Sequence, residues 1–169
     1  MNPMKNIRIE KITLNVGAGK DQKVLEKGVT LLKHITGLDP VKTTTQKRIA
    51  GWGLRPGLPI GTKITIRDEG KAKDLIKRLF VSQKNTIRKG CFDDNGNISF
   101  GVREYIDIPE VKYNPDVGML GFQATITLSR PGYRIIRRNI RKSKVPLSHR
   151  VNQEEAIEYM EKEFKVKVE

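Results

Sequence analysis

Apolar and polar residues alternate most cleanly between Phe122 and Ser129. Phe122, Ala124, Ile126 and Leu128 take one face of an extended chain, and Gln123, Thr125, Thr127 and Ser129 take the other. Period-two alternation is the mark of a strand with one buried face. Lys11–Val16 reads the same way, with Ile12, Leu14 and Val16 inward, as does Thr62–Arg67, with Ile64 and Ile66 inward. Ile7 and Ile9 alternate in the opposite phase, which predicts a bulge or bend near Glu10–Lys11. A further strand is expected through Ile98, Phe100 and Val102, whose parity Ile106 and Ile108 keep. A short strand is expected from Asp39 to about Thr45, with Val41 its only apolar side chain.

Three segments carry helical spacing instead. From about Asp21 to Thr36, Val24, Leu25, Gly28, Leu31, Leu32 and Ile35 fall on one face, with Asp21 as N-cap and Gly37 as the stop. From about Lys71 to Val81, Ala72, Leu75, Ile76, Leu79 and Phe80 do so. The last helix is capped by Asn152, with Glu155 at the third helical position and Ala156, Ile157, Met160 and Phe164 inward. Asn95–Gly96 signals a hairpin. Gln46–Gly61 holds four Gly and two Pro and reads as a long loop, as do residues 109–121. Few helices and several hairpin-linked strands predict an α+β fold: a single domain over residues 1–169, its mainly antiparallel sheet covered by helices on one face and open on the other.

Charge adds a direction to that picture. The chain is +14 overall, and Arg130–Arg150 holds eight basic residues and no acidic one, more than half of the excess. Arg130, Arg134, Arg137, Arg138, Arg141, Lys142, Lys144 and Arg150 repel one another, so a polyanion is expected to supply the counter-charge. Arg outnumbers Lys there, which favours bidentate contact with phosphate over mere solubility. An anionic membrane surface is the weaker alternative, because Ile135, Ile136 and Ile140 do not build a strong apolar helix face. No apolar run approaches the length that spans a bilayer. The N-terminus lacks a signal-peptide pattern and Cys91 is alone, so the chain reads as cytosolic, without a disulfide framework or a zinc cluster.

The predicted open sheet face is equally suggestive. Lys11, Thr13 and Asn15, then Lys63, Thr65 and Arg67, then Gln123, Thr125, Thr127 and Ser129 supply hydroxyls, amides and cations without a carboxylate. Such a face suits phosphate and 2′-hydroxyl contacts across a shallow RNA groove, although Thr is also common in strands for its β-propensity alone. The long loop and its approach, Thr43, Thr44, Gln46, Lys47 and Arg48, pair cations with permissive backbone. Trp52, between Gly51 and Gly53, either stacks on a base at an exposed tip or folds back as an anchor.

Catalytic chemistry has little to stand on. Asn15–Lys20 resembles a phosphate-binding strand–turn–helix but fails the P-loop template at Leu14 and Asp21, and the dinucleotide template at Gln22. His34 and His149 lack a partner pattern, and Asp93–Asp94 sits at a turn, where acids commonly serve turn chemistry. A nucleotide-hydrolysing or RNA-modifying enzyme, with Gly17–Gly19 its only opening, is therefore the runner-up to a non-catalytic RNA binder. No cofactor, metal or catalytic residue is expected.

Several motifs in order carry a family resemblance: Asn2–Met4, Lys11–Gly19, Ile35–Pro40, Gly53–Gly61 and Gly96–Glu104. Over nearly its whole length the chain resembles the universal large-subunit ribosomal protein L-five family. Arg130–Tyr133 and Ser148–Arg150 look like its archaeal and eukaryotic branch, called L-eleven in eukaryotes. The resemblance implies an α+β protein that grips 5S rRNA in the central protuberance, beside ribosomal protein L-eighteen, with contacts to large-subunit rRNA. It implies RNA-facing roles for Asn15 and Thr65. Where the family often has Gln in the turn after the first helix, Leu38 stands here and offers no side-chain hydrogen bond. The family's long loop reaches the P-site tRNA, which maps onto Gly51, Trp52, Gly53, Leu54, Arg55, Pro56 and Gly57. Contact with small-subunit head proteins is also implied, and catalysis is not. The expected rRNA contacts are Lys11, Thr13, Asn15, Thr43, Thr44, Gln46, Lys47, Arg48, Lys63, Thr65, Arg67, Arg130, Arg134, Arg137, Arg138, Arg141, Lys142 and Arg150.

Overall fold

A computed structural model describes residues 2–169. The fold is α+β, built on a mainly antiparallel five-stranded sheet of order β2-β3-β1-β6-β5. These strands are β1 (Arg8–Gly17), β2 (Val41–Thr44), β3 (Pro59–Ile66), β5 (Asn97–Val102) and β6 (Phe122–Ser129). A separate parallel pair joins β4 (Thr86–Ile87) to β7 (Lys167–Val168). The helices are α1 (Gln22–Thr36), α2 (Glu69–Ser82), the single turn α3 (Arg134–Arg137) and α4 (Gln153–Phe164). Two compact units share the chain. One comprises residues up to Ile12, Arg67–Ser99 and Thr125–Glu169, and the other Thr13–Ile66 and Phe100–Ala124.

In the second unit α1 lies on the sheet at a close approach. A Cβ at Gly28 would meet Val16 Cγ1 at 3.0 Å and Thr62 Cγ2 at 3.1 Å, so a side chain there would have to push these neighbours aside by a few tenths of an ångström for the helix to keep this depth. Leu25, Leu31, Leu32 and Ile35 line the buried face of α1, and Leu14 and Val16 the sheet beneath. Asp21 caps α1 by accepting from the Lys23 amide at 2.9 Å, and Gly37 closes it in the left-handed conformation. Tyr105, 1 % exposed, stitches the irregular chain that follows β5. Its hydroxyl accepts from the Asn114 amide at 2.9 Å and donates to the Asn114 carbonyl at 3.3 Å. Nothing in the hydrophobic pattern marks that role.

In the first unit Phe80 of α2 and Phe164 of α4 meet edge-to-face at 5.6 Å between centroids. Lys73 ties the same two helices, reaching Glu69 at 3.0 Å and Glu163 at 3.2 Å. Hydrogen bonds that Lys73 donates to those two carboxylates, Glu69 first, raise its pKa above the ordinary value. In α4 the Glu155 carboxylate reaches back to the Asn152 amide at 3.2 Å, one arm of the predicted capping box.

Several expectations need correction. The long loop is shorter than Gln46–Gly61, because β3 begins at Pro59. The expected continuation through Ile106 is a 3₁₀ turn, Tyr105–Asp107, which leaves Ile106 39 % exposed. Asn95–Gly96 does form a tight turn, with Gly96 N–H donating to the Asp93 carbonyl at 2.9 Å, but it closes only an isolated Phe92–Ile98 bridge. Asp93 serves that turn as expected of its position, and the Asn97 side chain holds its carboxyl below the usual range. At Glu10 and Lys11 two half-buried residues stand in a row, the phase change that the opposed alternation of Ile9 and Ile12 predicts.

Candidate nucleic-acid interface

The inward positions of β1, β3 and β6 are buried, and their alternates look away from the core. In the second unit the outward set is Thr13, Asn15, Lys63, Thr65 and Gln123. Neighbouring strands link them loosely. The Thr13 and Thr65 hydroxyls lie 3.4 Å apart, and Asn15 Nδ2 donates to Gln123 Oε1 at 3.5 Å. Bonds this long leave both groups free to turn toward a ligand. The first unit offers Lys11, Arg67, Thr125 and Thr127, and adds Ser99, whose hydroxyl is 3.1 Å from that of Thr125. Ser99 is legible in the alternation of β5, but nothing in the sequence pattern joins its strand to β6. Ser129 departs from expectation: it is 2 % exposed, because β6 ends there and the chain turns inward with Arg130.

The loop between β2 and β3 is a built structure. At its base Thr45 N–H donates to the Leu58 carbonyl at 2.9 Å, and Gly57 N–H to the Thr45 carbonyl at 2.8 Å. Farther out Ile49 and Leu54 exchange two backbone bonds of 3.1 Å, closing a 3₁₀ turn at Ala50–Trp52 that Gly53 ends at φ 65°. Trp52 is 71 % exposed at the tip, so it does not fold back as an anchor. Leu54 is the anchor instead; at 6 % exposure it is not an available surface contact. Gly51, Gly53, Arg55, Pro56 and Gly57 are exposed, as are Thr44, Gln46, Lys47 and Arg48; Thr43 is half-buried. Leu38 is 39 % exposed. Between the loop and the turn before α1 lies a cavity of about 600 Å³, lined by Lys20, Gln22, Arg48, Leu54, Arg55 and Leu58 among others.

That turn is not a phosphate cradle. The Ala18 and Gly19 amides both donate to the Ile60 carbonyl at 2.9 Å. A P-loop needs those donors free, so the nucleotide-enzyme reading loses its only opening.

Arg130–Arg150 divides its cations in a way that the run of charge conceals. Arg130 is 6 % exposed: Nη2 donates to Glu155 Oε1 at 2.6 Å, and Nη1 to the Arg150 carbonyl at 3.2 Å. It is a strut, and the expectation that it contacts RNA is set aside on that ground. Arg137 pairs with Glu10 of β1, and Arg150 is half-buried with Nε on the Val145 carbonyl at 3.3 Å. Arg138 donates to the Arg141 carbonyl at 2.8 Å, folding the outer turn. Arg134, Arg141, Lys142 and Lys144 are exposed and meet no carboxylate among the described residues. The neck of the segment is closed by further side-chain bonds as well. Tyr133 hydroxyl donates to the His149 carbonyl at 3.2 Å and accepts from the Val151 amide at 3.1 Å, and the His149 ring meets the Pro131 carbonyl at 2.9 Å. Among the described residues no helix is long and apolar enough to cross a membrane, and no three His, Cys, Asp or Glu cluster as for a metal.

Residues 2–55 match the family described as Ribosomal protein L5, and residues 59–159 match the C-terminus of the same ribosomal family. The chain is 46 % identical over 167 residues to the large ribosomal subunit protein uL5 of Nanoarchaeum equitans, covering 99 % of this chain and 98 % of that one. It is 45 % identical over 167 residues to the uL5 protein of Nitrosopumilus maritimus, with 99 % and 96 % covered. Against that of Sulfurisphaera tokodaii it is 39 % identical over 169 residues, with 99 % and 95 % covered. The molecule is thus a structural, non-enzymatic constituent of the large ribosomal subunit, and as such cytoplasmic. Within that class the chain belongs to the ribosomal protein L5 family.

Proposed function

We propose that this protein binds 5S rRNA in the central protuberance of the large subunit, residues 1–169 acting as one binding domain, and that its β2–β3 loop contacts P-site tRNA. The observation that carries the reading is the set of outward sheet positions, Thr13, Asn15, Lys63, Thr65 and Gln123 in one unit and Lys11, Arg67, Ser99, Thr125 and Thr127 in the other. These positions hold neutral hydrogen-bonding groups and cations and no carboxylate. Hydroxyls and amides meet 2′-hydroxyls and set register, and cations neutralise phosphate. Arg134, Arg138, Arg141 and Lys142 add phosphate contacts to 5S or large-subunit rRNA. The exposed tip at Trp52 and Arg55 suits the tRNA contact. Ribosomal protein L-eighteen and proteins of the small-subunit head are the proposed protein neighbours.

The test is a titration of full-length protein with 5S rRNA over a range of salt. Phosphate neutralisation releases counterions, so log affinity should fall steeply and linearly with log salt. A flat response would reject the RNA reading.

A further inference from the structure

We infer that the cavity between the Lys20 turn and the β2–β3 loop is a seat for one unpaired nucleotide of an RNA strand. Its lining separates into two kinds of surface. Lys20, Arg48 and Arg55 supply three cations without a lining carboxylate, while Leu54 and Leu58 supply an apolar floor. A volume of about 600 Å³ falls within the range of pockets that hold small organic ligands and is more than a bare phosphate requires. Phosphate on the cations, with ribose or base against the leucines, uses both surfaces. Gln22, whose amide can both donate and accept, stands at the same wall to meet a base edge.

Side chains must do the anion binding here, since the Ala18 and Gly19 amides are engaged by Ile60. Lys20 is placed for it: its Nζ lies 3.5 Å from where a Cβ on Gly53 would be, so its stem runs within van der Waals range of the loop at Gly53. Trp52, next to Gly53 and 71 % exposed, offers a stacking face for the neighbouring base. Paired RNA keeps its bases stacked inside the helix and shows a protein only backbone and groove edges, whereas unpaired bases can splay onto a protein surface. A seat with an apolar floor therefore selects unpaired RNA. The inference rests on the RNA-binding reading and makes Lys20 and Gln22 contacts that charge runs and strand faces do not reveal.

The experiment titrates full-length protein with two RNAs of equal phosphate number, a hairpin with an unpaired loop and a blunt duplex, using the wild type, Lys20→Ala and Lys20→Arg. Wild type should prefer the hairpin. Lys20→Ala should weaken hairpin binding about tenfold, the scale of a lost charge-assisted hydrogen bond. It should also lower the salt slope by about 0.7, one single-strand phosphate, and leave the duplex unchanged. Lys20→Arg should restore the preference. Equal loss on both RNAs, or no loss on either, overturns the seat. Inorganic phosphate should compete no better than chloride at matched ionic strength; stronger competition marks a free-anion site and overturns the nucleotide assignment. Asn15→Ala and Thr65→Ala, read on 5S rRNA, separate the two ideas. If they weaken binding while Lys20→Ala is silent, the seat falls alone; if the wild type binds no RNA, the broader reading falls with it.

Discussion

The segment 130–150 and the loop between β2 and β3 are both basic excursions from the sheet, yet opposite means hold them. Backbone does most of the closing of the loop, through the Ile49–Leu54 exchange and the Thr45 bonds to Leu58 and Gly57; the Thr45 hydroxyl adds one bond to the Leu58 carbonyl at 3.1 Å, and Leu54 is the anchor. Its cations are left exposed. The segment is closed by side chains at its neck, Arg130, Tyr133 and His149, and two of its eight cations are matched by Glu155 and Glu10 from outside the run. Density of charge therefore does not map density of contact. The richest run of Arg supplies part of its own scaffold, and the sparser loop offers nearly everything it carries.

That contrast can be broken at the neck first. Arg130→Met should cost about 2 kcal/mol of stability by urea denaturation, because a buried charge-assisted bond is lost while Glu155, 40 % exposed, can rehydrate. Its effect on RNA should differ in kind from that of Arg141→Ala. Loss of an outer cation removes a phosphate contact and lowers the salt slope by about 0.9 on paired RNA, whereas loss of the strut weakens binding with the slope unchanged. A slope that falls equally in both variants would return Arg130 to the list of contacts.

On the loop side the largest effect belongs to Trp52. Trp52→Ala should weaken P-site tRNA retention on assembled ribosomes by about 1–2 kcal/mol, the scale of one base stack, and leave isolated 5S binding intact. Asn15→Ala and Thr65→Ala should each weaken 5S rRNA affinity by about 1 kcal/mol, one hydrogen bond; unchanged affinity in both would move the interface off the sheet. Tyr133→Phe sharpens the contrast with a smaller effect, about 1 kcal/mol, seen as faster tryptic cleavage within 134–144. Trp52→Ala should shift stability by less than about 0.5 kcal/mol, as expected of an exposed tip.

Much of the fold is legible because it is written locally. Alternation sets β1, β3, β5 and β6, and helical spacing with Asp21, Gly37 and Asn152 sets α1 and α4 to within a residue or two. Asp68, capping α2 through the Gly70 amide at 3.1 Å, extends that helix beyond Lys71, a cap that the apolar spacing hides because it begins later. The candidate face is equally readable, since residues that do not alternate inward must alternate outward. Strands β4 and β7 are not: two residues apiece leave no period to detect, and Thr86 finds Lys167 only through the fold.

Which segments are strands and helices, where the positive charge lies, and which family the motifs resemble can all be read along the chain, because each depends on near neighbours or on order. Tertiary structure alone decided that Arg130 is buried against Glu155, that Glu10 meets Arg137, that Ile60 occupies the Gly-turn amides, and that Lys20 shares a wall with Arg48 and Arg55. Those partners lie far apart along the chain, and a charge or amide carries no local mark of the distant group that will satisfy it.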